Sequence, residues 1–352
     1  MALKTKVLFL LKRREDFNSE NHTSTGMTTG LYNSASFVND LLVDNKIDSL
    51  MKVVIDYNDI DKNVSAYNPT HVIIEALWVT PTKFLELTRL HPSVTWIVRL
   101  HSEIPFIANE GMAMNWLGDY SQIKNIIIAC NSRTALRDVR RYLQIKNEWD
   151  TSKTIEKIIS LPNYYPQDYS KNKNKRSKEF IDIGCFGAIR PMKNHLIQAL
   201  AAVDFAENKN KKLRFHVNAG RIEQKGEPVV NNLRHVFMHL AERGHQLVTH
   251  DWAPREEFLK ICAQMDVGLQ VSFSETFNIV GADFISAGVP LVCSDEIPWA
   301  IREFCADAVD KNSITNKISL AYSLSKLNVF FHRHSLTVYT NKVKKVWIKK
   351  FK

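Results

Sequence analysis

No stretch of this sequence approaches the ~20 consecutive apolar residues that a bilayer-spanning helix needs. The run Val7 to Leu11 is cut short by Lys12, Arg13 and Arg14, too soon for a secretory signal, so it reads as a first strand and a cytoplasmic location is expected. Cysteine is sparse: Cys130, Cys185, Cys262, Cys293 and Cys305 lie scattered in apolar segments, with no C-x-x-C and no zinc spacing. An odd, dispersed set of this kind fits reduced structural thiols rather than a disulfide framework. The chain also lacks G-x-x-x-x-G-K-[ST], G-x-S-x-G and H-E-x-x-H. P-loop ATP hydrolysis, serine-esterase chemistry and zinc-protease chemistry therefore have no support. Neither an internal repeat nor a low-complexity domain is present.

What remains is an ordinary globular composition over 352 residues, 45% hydrophobic and 24% charged, a length that favours two domains. The formal net charge is +10 and the pI about 9.2. That balance suits a polyanionic partner, either nucleic acid or an anionic membrane face, and does not choose between them.

Short apolar runs alternate with helical periodicity along the whole chain. Candidate strands fall at residues 6 to 11, Lys52 to Asp56, His71 to Glu75, Thr95 to Leu100, Asn125 to Ala129 and from Ile158. A second series starts at Ile181 and continues at Leu213 to Asn218, Gln246 to Thr249, Val267 to Val271 and Val289 to Cys293. Such alternation predicts two doubly wound α/β units, whose ligands meet residues just beyond the carboxyl ends of parallel strands. His101, with Arg99, Ser102 and Glu103 beside it, occupies one such strand end. Asn131 and Ser132 read as helix caps after the next strand. The pair Asp59 and Asp61 reads as a solvated turn rather than a metal site. The basic stretch Lys171 to Lys178 reads as a solvated boundary loop, with direct binding of a polyanion as the alternative. The closing run NKVKKVWIKKFK reads as a helix packing an apolar stripe of Val343, Val346 or Trp347, and Phe351 beneath a basic outer face, with contact to DNA or anionic lipid as the alternative.

The most informative stretch is Ser272 to Asp295, SFSETFNIVGADFISAGVPLVCSD. It reads as strand, loop, helix, strand, with Glu275 in the loop and Asp283 inside the helix. A helix start facing a strand end gathers free N–H groups and partial positive charge, which suits a diphosphate. Carboxylates on either side can accept hydrogen bonds from sugar hydroxyls.

This block resembles the donor-binding signature of retaining, family-four-type glycosyltransferases of the GT-B fold, in which two Glu flank seven residues. Ser272, Glu275, Phe277, Ile279, Gly288, Pro290, Ser294 and Asp295 match. The sequence departs at Asn278, where the family has Gly, and at Asp283, where it has the second Glu.

The resemblance implies two Rossmann-like domains facing an interdomain cleft: 1–166 on the acceptor side and 167–324 binding the donor, with a helix over about 325–352 packing back on the first. Arg190 and Lys193 match the family's diphosphate-binding pair. Asn278 and Ile279 would add the helix start, Glu275 would orient the sugar, and Asp283 would hold the ribose. His101 resembles the family's strand-end His, and Gly26 and Gly30 sit where the family carries a glycine-bearing loop toward donor and acceptor. His250, Asp251 and Trp252 fall where its base-binding loop lies. The implied donor is a nucleotide-diphosphate sugar, UDP-linked above all, used as substrate with no cofactor or metal required. The favoured acceptor is a hydroxymethylated pyrimidine in DNA, as for phage-encoded transferases acting in a host cytoplasm, a likeness carried by HSEIPFIANEG. The alternatives are a bacterial surface polysaccharide or lipid-linked glycan, and a noncatalytic binder of sugar nucleotides or nucleic acid.

Overall fold

The computed structural model describes residues 4–13, 30–170, 176–223 and 225–352. By their contacts these fall into two units. One ends its main segment at Pro166 and takes in Thr340–Lys352, and the other contains Gln167–Tyr339.

The first unit runs β1 (Lys6–Lys12), α1 (Gly30–Asp44), β2 (Asp48–Val54), α2 (Ile60–Tyr67), β3 (His71–Glu75), α3 (Pro81–Leu90), β4 (Thr95–Leu100), α4 (Ile104–Ile107), α5 (Ala113–Gln122), β5 (Ile126–Cys130), α6 (Arg133–Asn147), α7 (Thr151–Lys157) and β6 (Ile158–Ser160). Its six strands lie in the order β2-β1-β3-β4-β5-β6, all parallel. The central strands are apolar runs buried along nearly their whole length, as a sheet covered on both faces requires. The edge strand β2 begins at Asp48, four residues before the expected Lys52, because it pairs with all of β1 from Lys6 opposite Asp48 to Lys12 opposite Val54. Being half-exposed, it lacks the apolar pattern that would have placed it.

Local capping sets the helix starts. Thr80 accepts the Lys83 N–H and Pro81 opens α3, Ser132 accepts from Ala135 at α6, and Asp150 from Lys153 at α7; each satisfies an otherwise orphaned donor. Asn131 does not cap: its amide turns toward His101 and Asn163 instead. Asp59 and Asp61 are structural, Asp59 accepting the Ile55 N–H and Asp61 pairing with His91 at 2.7 Å.

The second unit runs β7 (Phe180–Ile189), α8 (His195–Asn208), β8 (Lys212–Ile222), α9 (Glu227–Leu240), β9 (Gln246–Thr249), α10 (Arg255–Cys262), β10 (Val267–Gln270), α11 (Ile279–Ser286), β11 (Leu291–Cys293), α12 (Lys311–Ser323) and α13 (Ser325–Phe351). Its parallel strands take the order β11-β10-β7-β8-β9. At the β11 edge the Asn328 carboxamide accepts the Leu291 N–H and donates to the Leu291 carbonyl, both at 2.9 Å. One side chain thus imitates the next strand and closes an edge open to pairing. In the basic stretch, residues 171–175 lie outside the described residues; Arg176 stacks 3.7 Å over the Tyr322 ring and donates to its carbonyl.

Helix α13 begins in the second unit, and its last turns belong to the first. There the Trp347 indole N–H donates to Pro162 O at 2.8 Å and its ring lies against Phe9. Val343, Trp347 and Phe351 are buried, while Val346 faces solvent. Among the described residues no helix is long and apolar enough to cross a membrane.

Candidate functional site

An open parallel sheet leaves a crevice where successive connections leave in opposite directions, at the carboxyl ends of its strands. In the second unit the strand order puts that switch point between β7 and β10. The predicted site residues Arg190 and Lys193 come from the segment that follows β7, and Glu275, Asn278, Ile279 and Asp283 from the one that follows β10.

After β7 the chain passes through Arg190 into a single 3-10 turn, Pro191–Lys193, and then Asn194 at φ +59°. Asn194 tolerates this left-handed conformation and anchors it by donating to Val271 O at 3.0 Å and Ala308 O at 2.7 Å. The Phe273 N–H to Met192 O bond ties the post-β10 loop to the same turn. So fixed, the Lys193 ammonium bonds the Glu275 carboxylate, both side chains keeping a small exposed fraction of 12% and 10%. Arg190 faces Glu223, 3.6 Å away, and Glu223 also accepts from Arg221 at 2.8 Å.

Helix α11 starts beside this pair. Asn278 stands at φ +63°, which explains the departure from the family's glycine: asparagine is the next most tolerant residue in the left-handed region. Its side chain adds what glycine cannot, accepting the Gly281 N–H at 2.7 Å and donating to Gln270 at 2.8 Å. Of the first-turn donors, those of Ile279 and Val280 have no acceptor within the helix. Asp283 lies on the helix's inner side, almost wholly buried and 3.3 Å from Arg255 of α10.

His195, the first residue of α8, is also buried, and neither ring nitrogen has a hydrogen-bond partner among the described residues. Burial, reinforced by Lys193 and Arg190, pushes its pKa down to about 3, so the imidazole is neutral next to two cations. His250 stacks on His216 with ring centroids 5.2 Å apart, and His216 in turn bonds Asp182 at 2.9 Å. Trp252 receives the Arg221 guanidinium over its ring at 4.6 Å.

In the first unit the strand ends hold a closed polar network. Glu75 ends β3, and Arg99 of β4 donates to both of its oxygens, at 3.1 and 3.2 Å. The same guanidinium donates to Leu161 O at 3.0 Å, Asn163 Oδ1 at 2.6 Å and Ser34 Oγ at 3.4 Å, and stacks 5.1 Å over Trp347. His101 Nε2 bonds the second Glu75 oxygen, with Asn131 3.5 Å from the other ring nitrogen. Burial alone would raise the Glu75 pKa, yet Arg99 and His101 together hold it below its ordinary value. Glu75 and Arg99 have no exposed side chain, whereas His101 keeps 14%. His101 is therefore the group this network offers outward, and Arg99 supports it through Glu75. Glu103 precedes α4 and is buried; Ser102, between it and His101, is half-buried. Gly30 opens α1 with open space where a side chain would stand. Gly26 lies outside the described residues.

Sequence reasoning missed Glu75, Ser34, Asn163, Glu223 and Arg255. A signal existed for Glu75: an acid closing the apolar strand HVIIE demands a buried partner. Ser34 and Asn163 are 129 positions apart in the chain, and nothing local couples them.

No protein-family model matches this chain, and no curated protein matches it in sequence. Solved structures do. Sucrose-phosphate synthase from Thermosynechococcus elongatus is similar at 12% identity, with 98% of each chain covered and a TM-score of 0.68. HepE from Anabaena in complex with UDP and glucose is similar at 11% identity, over 98% of this chain and 99% of that one, TM-score 0.65. The Escherichia coli trehalose-6-phosphate structure bound with UDP-2-fluoro glucose is similar at 11%, over 98% and 99%, TM-score 0.67. The fold is thus GT-B, with two Rossmann-like parallel-sheet domains.

Proposed function

We propose that this chain is a retaining glycosyltransferase that takes a sugar from a nucleotide-diphosphate donor, UDP-linked, and passes it to a hydroxyl acceptor. The observation that carries this reading is the convergence of Lys193, Glu275 and the α11 start at one switch point. Without a ligand, Lys193 and Glu275 neutralise each other. A diphosphate is a stronger partner for the ammonium, and binding it would free Glu275 to accept from sugar hydroxyls. Arg190, Lys193 and the Ile279 and Val280 N–H groups then face the charge that grows on the diphosphate as the bond from the anomeric carbon to its phosphate oxygen breaks. The new bond forms from the acceptor oxygen to that carbon on the same face, and the acceptor proton goes to the departing phosphate oxygen. Asp283, beside Arg255, would take ribose hydroxyls. His101, held by Glu75, would bond the transferred sugar.

The test is release of UDP from a panel of UDP-sugars by the full chain and by Glu275→Ala. The variant should lose one to two decades in rate, the equivalent of roughly 1.5–3 kcal/mol for one charge-assisted contact, while staying folded at the assay temperature despite about 1–2 kcal/mol of lost stability from the broken pair. Equal release by both proteins would sink the assignment. Absence of release with every donor would favour a noncatalytic binder.

For the acceptor, the likeness of HSEIPFIANEG to phage-encoded DNA base transferases supports a hydroxymethylated pyrimidine in DNA, reached by extruding the base. The exposed Leu327, Phe330 and Phe331 of α13 favour a second reading, a lipid-linked or surface glycan. Mass spectrometry of hydroxymethylated DNA, native DNA and a glycan panel, each incubated with nucleotide sugars, separates the two by which substrate gains a hexose or pentose mass.

A further inference from the structure

The net charge of the molecule has an address. Residues 311–352 contain ten of the 47 Lys and Arg and none of the 37 Asp and Glu. The preceding 310 residues therefore balance, 37 cations against 37 acids, and the whole excess of +10 sits on α12, α13 and Lys352 just after it. This concentration has nothing to do with the strand-end groups described above.

Helix α13 carries apolar residues on two opposite faces. Its inner row, His332, Leu336, Val343, Trp347 and Phe351, is buried at helical spacing. A second row, Leu324 just before the helix and then Leu327, Phe331, Val338, Lys345 and Lys349 within it, steps by three, four or seven residues, so that the five within the helix lie along one outer line. All six are exposed. Beside that line Phe330 is 63% exposed and packs edge-on against Phe331, itself 45% exposed. A ridge two phenylalanines and two leucines deep is more apolar surface than a single helix leaves in water without a reason. Over a helix of about 40 Å, the outer line is apolar in its first half and lysine-bearing in its second.

We propose that the outer face of α13 is a docking surface for an anionic lipid bilayer. Lysines alone would suit nucleic acid as well, since phosphate backbones and anionic headgroups both take point charges. The apolar row decides between them: a duplex backbone offers nothing for exposed Phe and Leu, whereas the boundary between headgroups and acyl chains takes such side chains while lysines reach the headgroups beside it. The occupant is thus a surface of anionic phospholipid, with α13 lying in its plane rather than crossing it.

The experiment is co-sedimentation of the full chain with vesicles of phosphatidylcholine, with and without phosphatidylglycerol, alongside Phe330→Ser/Phe331→Ser and Lys345→Gln/Lys349→Gln. All of these positions are solvent-facing, so both variants should keep the parent's thermal midpoint and its rate of UDP-sugar hydrolysis, which separates this result from the fate of the proposed activity. Binding is expected only to phosphatidylglycerol-containing vesicles and should weaken with salt. It should fall on the order of tenfold in the phenylalanine variant and roughly thirtyfold in the lysine variant, about fivefold per charge. The proposal is overturned if anionic vesicles do not bind, or if the phenylalanine variant binds them as well as the parent. It is equally overturned if loss of the two phenylalanines abolishes binding to duplex DNA instead, or abolishes a concentration-dependent dimer seen by sedimentation without vesicles.

Discussion

The two sheets solve the same problem at their strand ends in opposite ways. In the first unit, Glu75 and Arg99 are sealed from water, and each hydrogen-bonding edge of the guanidinium is used by a fixed acceptor. In the second, the Lys193 and Glu275 side chains pair with each other, among the described residues, and retain a water-facing edge. The first arrangement fixes a shape, and its one partly exposed member, His101, inherits that fixity. The second stores charge that a ligand can redirect. Rigidity and responsiveness thus sit on different sheets, each built from one acid and one base.

The difference is broken most forcefully at Arg99. Arg99→Met strands the Glu75 carboxylate in the interior and should cost about 3–5 kcal/mol in urea unfolding, whereas Lys193→Met should cost about 1–2 kcal/mol because Glu275 can rehydrate through the edge it keeps. Similar losses in both would erase the contrast. A second probe is acid. Because Glu75 has a folded pKa below its ordinary 4.5, its ionised form stabilises the fold fully above that pH, and the contribution is lost as pH falls through the depressed folded value. Unfolding midpoints measured from pH 6 downward should drop more steeply for the parent than for Glu75→Gln, and parallel curves would show that the network gives Glu75 no special hold on its charge. The smallest effect is expected in the second unit at Asn278. Asn278→Gly keeps the left-handed backbone and loses the cap and the bond to Gln270, about 1 kcal/mol, while Asn278→Ala loses both and also strains the backbone, about 1–2 kcal/mol more. Identical midpoints for the two variants would mean that the backbone angle imposes no demand there.

Much of this architecture was legible in the residues because parallel strands buried on both faces are spelled as unbroken apolar runs. His71–Glu75, Thr95–Leu100 and Gln246–Thr249 are found at the expected boundaries. The half-exposed edge strand β2 was misplaced, since its position is dictated by its partner rather than by its own pattern. Within the site, Lys193 and Glu275 could be nominated from two separate motifs, and the coordinates bring them together. The closed network could not be read, because its members come from α1, β3, β4 and the segments after β5 and β6, and only folding makes them neighbours. The outer row of α13 was hidden for another reason: an apolar stripe on each face cancels in any periodicity, leaving a helix that looks featureless.

The placement of Trp347 carries a consequence for biosynthesis. As a ribosome releases this chain, β1 through β6 emerge first, but the indole that covers Phe9 and Arg99 arrives only after the whole of Gln167–Tyr339 has been made. The main segment of the second unit, which has a buried cluster of its own, is synthesised in between. Cover for the first sheet around Phe9 and Arg99 therefore comes from residues made after that segment, so a nascent chain lacks it until then.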